Sequence, residues 1–182
     1  MLTDTVPEFQ GFLEVKKIDP KGKVVQVVYT KNVITFTATN ILARSLGGDT
    51  TYSPTHILVG GSVTPSPPIT VTRSDVELSS LTDDVADPVN NARELLPIAS
   101  AGYTGVSTTG APVGQQNNNV VTYTAVMPAF PSNLNLDGKK FYEAGIITRI
   151  GTSELLFSHQ FHEPVEKLSG FQLVYTWSIR FQ

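Results

Sequence analysis

From residue 171 to residue 182 the chain alternates almost perfectly between apolar and polar positions. Phe171, Leu173, Tyr175, Trp177, Ile179 and Phe181 fall on one side. Gln172, Thr176, Ser178, Arg180 and Gln182 fall on the other, and Val174 alone breaks the rule. A period of two belongs to a strand with one buried and one wet face. The only tryptophan stands in the apolar row, so this segment is predicted to be a core strand.

The same reading carried along the chain predicts strands over 11–17 and 24–30, joined by a turn at Asp19-Pro20-Lys21-Gly22. Proline presets φ there and glycine tolerates φ > 0. Residues 37–46 are predicted to be helical. Ala38, Ile41, Leu42 and Ser45/Leu46 line one side at helical spacing, Thr37 or Thr39 is the expected cap, and Gly47-Gly48 the expected stop. Further strands are expected at 56–59, 93–98, 120–129, 141–150 and 154–161, the last two joined at Gly151-Thr152-Ser153. Pro65-Ser66-Pro67-Pro68 cannot pair within a sheet and reads as an extended connection. Residues 100–119 hold Gly, Ser, Thr, Asn and Gln with few large apolar side chains. Such a stretch buries too little to offset its ordering cost and is expected to form an exposed loop or arm. The sum is an all-β fold of roughly eight strands, a β-sandwich or jelly-roll-like domain with one short helix and long loops. It is expected to be one domain over 1–182 with an extended arm at about 99–119.

Composition narrows the function. Hydrophobic residues make up 40% of the 182 and charged residues 16%, with a formal charge of −3 and no cysteine. Disulfides and thiolate metal sites are therefore excluded. No Lys/Arg cluster marks a nucleic-acid footprint, and no apolar stretch approaches the ~18 residues that cross a bilayer. Met1-Leu2-Thr3-Asp4 lacks the basic and apolar regions of a signal peptide, so synthesis in the cytoplasm is expected.

Candidate chemistry is sparse. His159-x-x-His162-Glu163 holds metal-binding residue types. Positions three apart on a strand face opposite sides, however, so the two histidines are read as polar residues flanking Phe161 at a sheet end. Asp83, Asp84 and Asp87 lack the alternating acids, central glycine and closing glutamate of a calcium loop and are read as a solvated turn. Glu143 lies in an otherwise apolar strand. It is expected to form a buried ion pair or hydrogen bond, with Arg149 and Arg180 as candidate partners. No Gly-x-Ser-x-Gly elbow accompanies His56, His159 or His162, and there is no P-loop or dinucleotide fingerprint. Gly60-Gly61-Ser62 lacks the lysine and helix of a phosphate cradle. No catalytic, cofactor or metal residues are assigned. Tyr52, Tyr103 and Phe130 are the only loop aromatics that could form a sugar-binding platform, the basis of an alternative reading as a carbohydrate-binding module.

Two blocks resemble a recurring class of tailed-bacteriophage virion proteins. The first is Asn32-Val33-Ile34-Thr35, then the helix ending Leu42-Ala43-Arg44-Ser45-Leu46-Gly47-Gly48, then Pro54-Thr55-His56-Ile57-Leu58-Val59-Gly60. The second is Phe141-Tyr142-Glu143-Ala144-Gly145-Ile146, then Leu155-Leu156-Phe157-Ser158-His159-Gln160-Phe161, then Leu173-Val174-Tyr175-Thr176-Trp177-Ser178-Ile179-Arg180-Phe181. Together they cover somewhat under half the chain. The class usually carries Gly-x-Gly after the helix block, where this chain has Gly60-Gly61-Ser62. The resemblance implies a non-enzymatic structural component of a tailed-phage virion. A capsid decoration or cement protein is the first expectation, and a tail, neck or baseplate appendage protein the alternative. It implies other virion proteins as partners (the major capsid protein, or tail and neck proteins), a homo-oligomer, a virion location, and neither nucleic acid nor membrane as a partner.

Overall fold

The computed structural model describes residues 9–62, 70–75, 91–104, 119–130 and 136–181. Eight strands and one helix follow one another: β1 (Phe9–Ile18), β2 (Val24–Ile34), α1 (Phe36–Leu46), β3 (His56–Ser62), β4 (Asn91–Thr104), β5 (Asn119–Met127), β6 (Lys140–Ile150), β7 (Ser153–Glu166) and β8 (Gln172–Phe181). The strands close into an antiparallel barrel in the order β1-β2-β7-β6-β3-β4-β5-β8.

The mainly β composition and the single helix agree with the sequence. The expected sandwich or jelly-roll is corrected to a closed barrel. Alternation within a strand is the same in both architectures, because either one has an inside and an outside. Closure depends instead on long strands that serve two walls. One wall is β2-β1-β8-β5, with the second half of β4. The other is β3-β6-β7, with the first half of β4. The register of β4 shifts between Ile98 and Ser100 as it passes from β3 to β5, a bulge that bends the strand. β2 closes the other corner through two pairs only, Val33 with His159 and Ile34 with Ser158. Below that point, the seam is bridged by Gln26, whose Nε2 donates to the Pro164 carbonyl at 3.4 Å.

The turns follow from their residues. Asp19 Oδ1 accepts from the amides of Lys21 (2.9 Å) and Lys23 (2.8 Å), and Gly22 sits at φ +81°. The cap falls two residues before Thr37 and four before Thr39, the expected caps. Thr35 is the cap: its hydroxyl accepts from the Ala38 amide at 3.3 Å and reaches the Leu156 carbonyl at 2.6 Å. The same side chain therefore caps α1 and ties it to β7. At the other end Gly48, at φ +91°, supplies the left-handed residue.

Leu13, Val15, Val28, Ile57, Val59, Ala125, Phe141, Ile146, Phe157, Leu173, Tyr175 and Trp177 fill the barrel, and Ala38 and Ile41 of α1 join them. A second, smaller cluster of Leu58, Ile147 and Leu156 lies on the other face of β3, β6 and β7. It alternates with the inward residues along each strand, so this wall is covered on both sides. β4 continues to Thr104, so the first residues of the expected arm are strand paired to β5. The remainder, 105–118, lies outside the described residues, as do Pro65 to Pro68 and the Asp83, Asp84 and Asp87 group.

Candidate functional site

Two buried polar assemblies stand out, and both connect segments far apart in sequence. The first centres on Asn32, which is 6% exposed. In the amide orientation that satisfies its neighbours, its oxygen accepts from Trp177 Nε1 and from the Phe12 amide (3.2 Å). Its nitrogen donates to Ser158 Oγ and to the Gly11 carbonyl, both at 3.3 Å. Ser158 in turn donates to the Val33 carbonyl at 2.8 Å. Gly11 faces Asn32 in the β1–β2 register, and a Cβ there would come within 1.5 Å of the Asn32 side-chain amide. Glycine is thus required to seat the amide. The assembly spans β1, β2, β7 and β8, at the corner where the barrel closes.

The second assembly is Glu143–His159–Asp75. Glu143 is fully buried and His159 is 1% exposed. Register puts Gly145 and His159 in one row with Leu58, on the outer face of the β3-β6-β7 wall. His159 Nε2 lies 2.5 Å from Glu143 Oε1, and Nδ1 lies 3.0 Å from Asp75 Oδ2. Each contact needs one proton between nitrogen and oxygen. Asp75 belongs to the described segment 70–75, which covers this wall. Its carboxylate also accepts from the Thr72 amide (2.9 Å) and hydroxyl (2.5 Å). Burial pushes the Asp75 carboxyl up, but the Thr72 and His159 hydrogen bonds outweigh it and hold the group below the ordinary carboxylate value. The same segment is fastened to α1. The Phe36 amide donates to the Arg73 carbonyl at 2.7 Å, and the Arg73 guanidinium lies 4.8 Å from the Phe36 ring centroid.

These contacts correct two expectations. Glu143 bonds His159, a residue outside the expected pair Arg149 and Arg180. His159 and His162 flank Phe161 within β7 and not at a sheet end, and both are buried. They also serve separate surroundings. His162 Nδ1 donates to the Glu163 carbonyl at 2.8 Å, its ring meets Tyr175 edge-on at 6.2 Å, and its buried Nε2 has no hydrogen-bond partner. Burial pushes its pKa down to about 4. The Tyr175 hydroxyl is likewise buried without a partner, and burial raises its pKa.

The arrangement suits structure better than reaction. A histidine acting as base needs one nitrogen directed at a nucleophile or substrate, whereas both His159 nitrogens face carboxylates. Among the described residues no group of three or more His, Cys, Asp or Glu is disposed to hold a metal. Gly60-Gly61-Ser62 lies inside β3, and a Cβ on Gly61 would come within 2.6 Å of the Lys140 carbonyl oxygen, so that glycine permits close strand approach. His56 Nδ1 lies 2.9 Å from Thr55 Oγ1, and burial, with help from Arg149 and against Glu154, lowers its pKa. Of the aromatics considered for sugar binding, Tyr52 is engaged by Arg44. Nη1 donates to its hydroxyl at 3.0 Å, and the guanidinium lies 4.5 Å from its ring centroid. Phe130 is 76% exposed. Tyr103 lies on β4 opposite Val121.

Sequence reading missed Asn32, Gly11 and Asp75 as structural polar positions. Asn32 carried a usable signal, a lone amide inside an otherwise strand-like run. Asp75 carried none, because its partner is 84 residues away.

Protein-family models, curated proteins and solved structures were all compared with the chain, and none matches.

Proposed function

We propose that this chain is a non-enzymatic structural component of a tailed-phage virion, in the first place a capsid decoration or cement protein. The observation that carries the reading is where the two resembling blocks go. Asn32 of the first block bonds Trp177 and Ser158 of the second. Thr35 of the first bonds the Leu156 carbonyl of the second. Glu143 and His159, both of the second, bond each other. Two stretches matched separately as sequence therefore make one hydrogen-bonded unit: the closing corner of the barrel, the helix seated on it and the wall beside it. That supports a resemblance to a folding module rather than to scattered apolar positions. A rigid barrel whose buried polar groups are spent on holding its own walls is suited to presenting a surface to neighbouring proteins.

Particles assembled without this chain provide the test. Purified protein should bind them saturably. Binding to heads supports decoration, and binding to tails or necks supports the appendage alternative. Failure to bind either overturns the reading.

A further inference from the structure

The outer face of the β1–β2 hairpin is apolar at its centre and basic at its rim. Val25 is 49% exposed, Val27 52% and Tyr29 66%. They alternate with the inward residues of β2, so all three point away from the core. Across the register Lys16 stands opposite Val27, Glu14 opposite Tyr29 and Phe12 opposite Lys31. Phe12 stacks on Tyr29 with ring centroids 5.8 Å apart at 17°, and the Arg180 guanidinium lies 5.8 Å from the Phe12 ring centroid. The patch is therefore ordered as well as apolar. Of the five lysines in residues 9–34, Lys17 is buried, so Lys16, Lys21, Lys23 and Lys31 stand against Glu14 and Asp19, a net +2 in a chain whose total is −3. Glu14 and Lys16 neutralise each other at 2.7 Å and Asp19 accepts from the turn amides, so Lys21, Lys23 and Lys31 carry the positive charge of the rim.

We propose that this face docks onto another protein of the particle, one that presents carboxylates around an apolar centre. The proposal rests on the virion reading above and names the surface that reading would use. Charge selects the occupant. A second copy packed about a two-fold axis would set one net-positive rim against another, and like charges at an interface oppose association. A nucleic-acid backbone would satisfy the lysines but leave Val25 and Val27 nothing to bury against. A carboxylate-rimmed protein surface satisfies both. The uncharged run Val24-Val25-Gln26-Val27-Val28-Tyr29 adds a second reason. An exposed strand of this composition is an aggregation hazard unless a partner covers it. Among the described residues, β2 pairs with β7 only at Val33 and Ile34, so most of its β7-facing side lacks ladder hydrogen bonds.

The experiment uses particles assembled without the chain as the probe. Wild type is compared with Val27→Ser/Tyr29→Ser, with Lys16→Glu/Lys23→Glu/Lys31→Glu, and with Leu46→Ser, a control on the exposed residue of α1 (89% exposed). All substituted positions but Lys16 lie among exposed residues, and circular dichroism and thermal melting verify the fold of each variant. Both hairpin variants should lose about tenfold or more in affinity, and Leu46→Ser should bind as wild type. A photo-crosslinker at position 27 should capture an acidic segment of another particle protein. Unchanged binding by both hairpin variants, or capture of a second copy of this chain or of nucleic acid, overturns the proposal. If wild type itself fails to bind, the virion reading falls and the docking proposal with it.

Discussion

The two walls of the barrel are finished differently. On the β3-β6-β7 wall, residues 141–148 of β6 are buried without interruption. The inner side meets the barrel core, and the outer side carries Leu58, Ile147 and Leu156 together with Glu143–His159–Asp75. On the β1–β2 hairpin only the inner row is buried, and the outer row leaves valines and a tyrosine in the open beside lysines. One wall spends its polar groups internally. The other holds apolar surface in reserve. The difference teaches that stability and recognition are carried by different strands, so substitutions on the two walls should fail in different ways.

The largest effects belong to the closed corner and the covered wall. Trp177→Ala removes a fully buried side chain and one of the two donors to the Asn32 amide oxygen. It should cost about 3–5 kcal/mol, read from denaturant unfolding. His159→Ala removes the imidazole that the buried Glu143 carboxylate bonds and should cost a comparable amount, of order 3 kcal/mol. A loss under about 1 kcal/mol would mean that the pair is not what holds this wall. The double variant Glu143→Leu/His159→Leu should recover part of that loss, because no charge is then left buried.

Acid comes next. His162 is held neutral in the fold, with its pKa lowered from 6.5 to about 4. The unfolded chain therefore binds a proton before the folded chain does. No penalty applies above pH 6.5, and stability falls progressively as the pH drops from 6.5 toward 4, by roughly 3 kcal/mol over that window. His162→Phe should flatten this part of the pH profile, with unfolding free energy as the readout. Asp75 adds a separate loss at lower pH, because its depressed pKa contributes stability that vanishes as the pH falls through the folded value.

The cap is smaller still. Thr35→Ala should cost about 1–2 kcal/mol. On the bare wall, Val27→Ser should change stability by no more than ~0.5 kcal/mol while weakening attachment to particles. A large stability loss there would erase the contrast between the walls.

Much of the wall pattern was legible in the sequence. The alternation at 171–181, broken only by Val174, and the apolar run from Phe141 to Ile147, interrupted only by Glu143, distinguish a half-buried strand from one buried on both faces. The Asp19-Pro20-Lys21-Gly22 turn was equally plain, since its chemistry is local. Barrel closure was not, because it depends on where long strands bend and on only two pairs between β2 and β7. The partner of Glu143 was hidden for the same reason. Arg149 and Arg180 were nearer in type, but register brings His159 beside Gly145, one row from Glu143. The exposed valines of β2 looked like any strand, since pattern alone does not say which face meets solvent.

The most direct test of the account is the copy number of this chain in purified virions, measured by quantitative mass spectrometry against the major capsid and portal proteins. The account predicts a ratio near that of the capsid protein. A ratio near that of the portal would move the protein to the tail or neck, and its absence from the particle would contradict the virion reading outright.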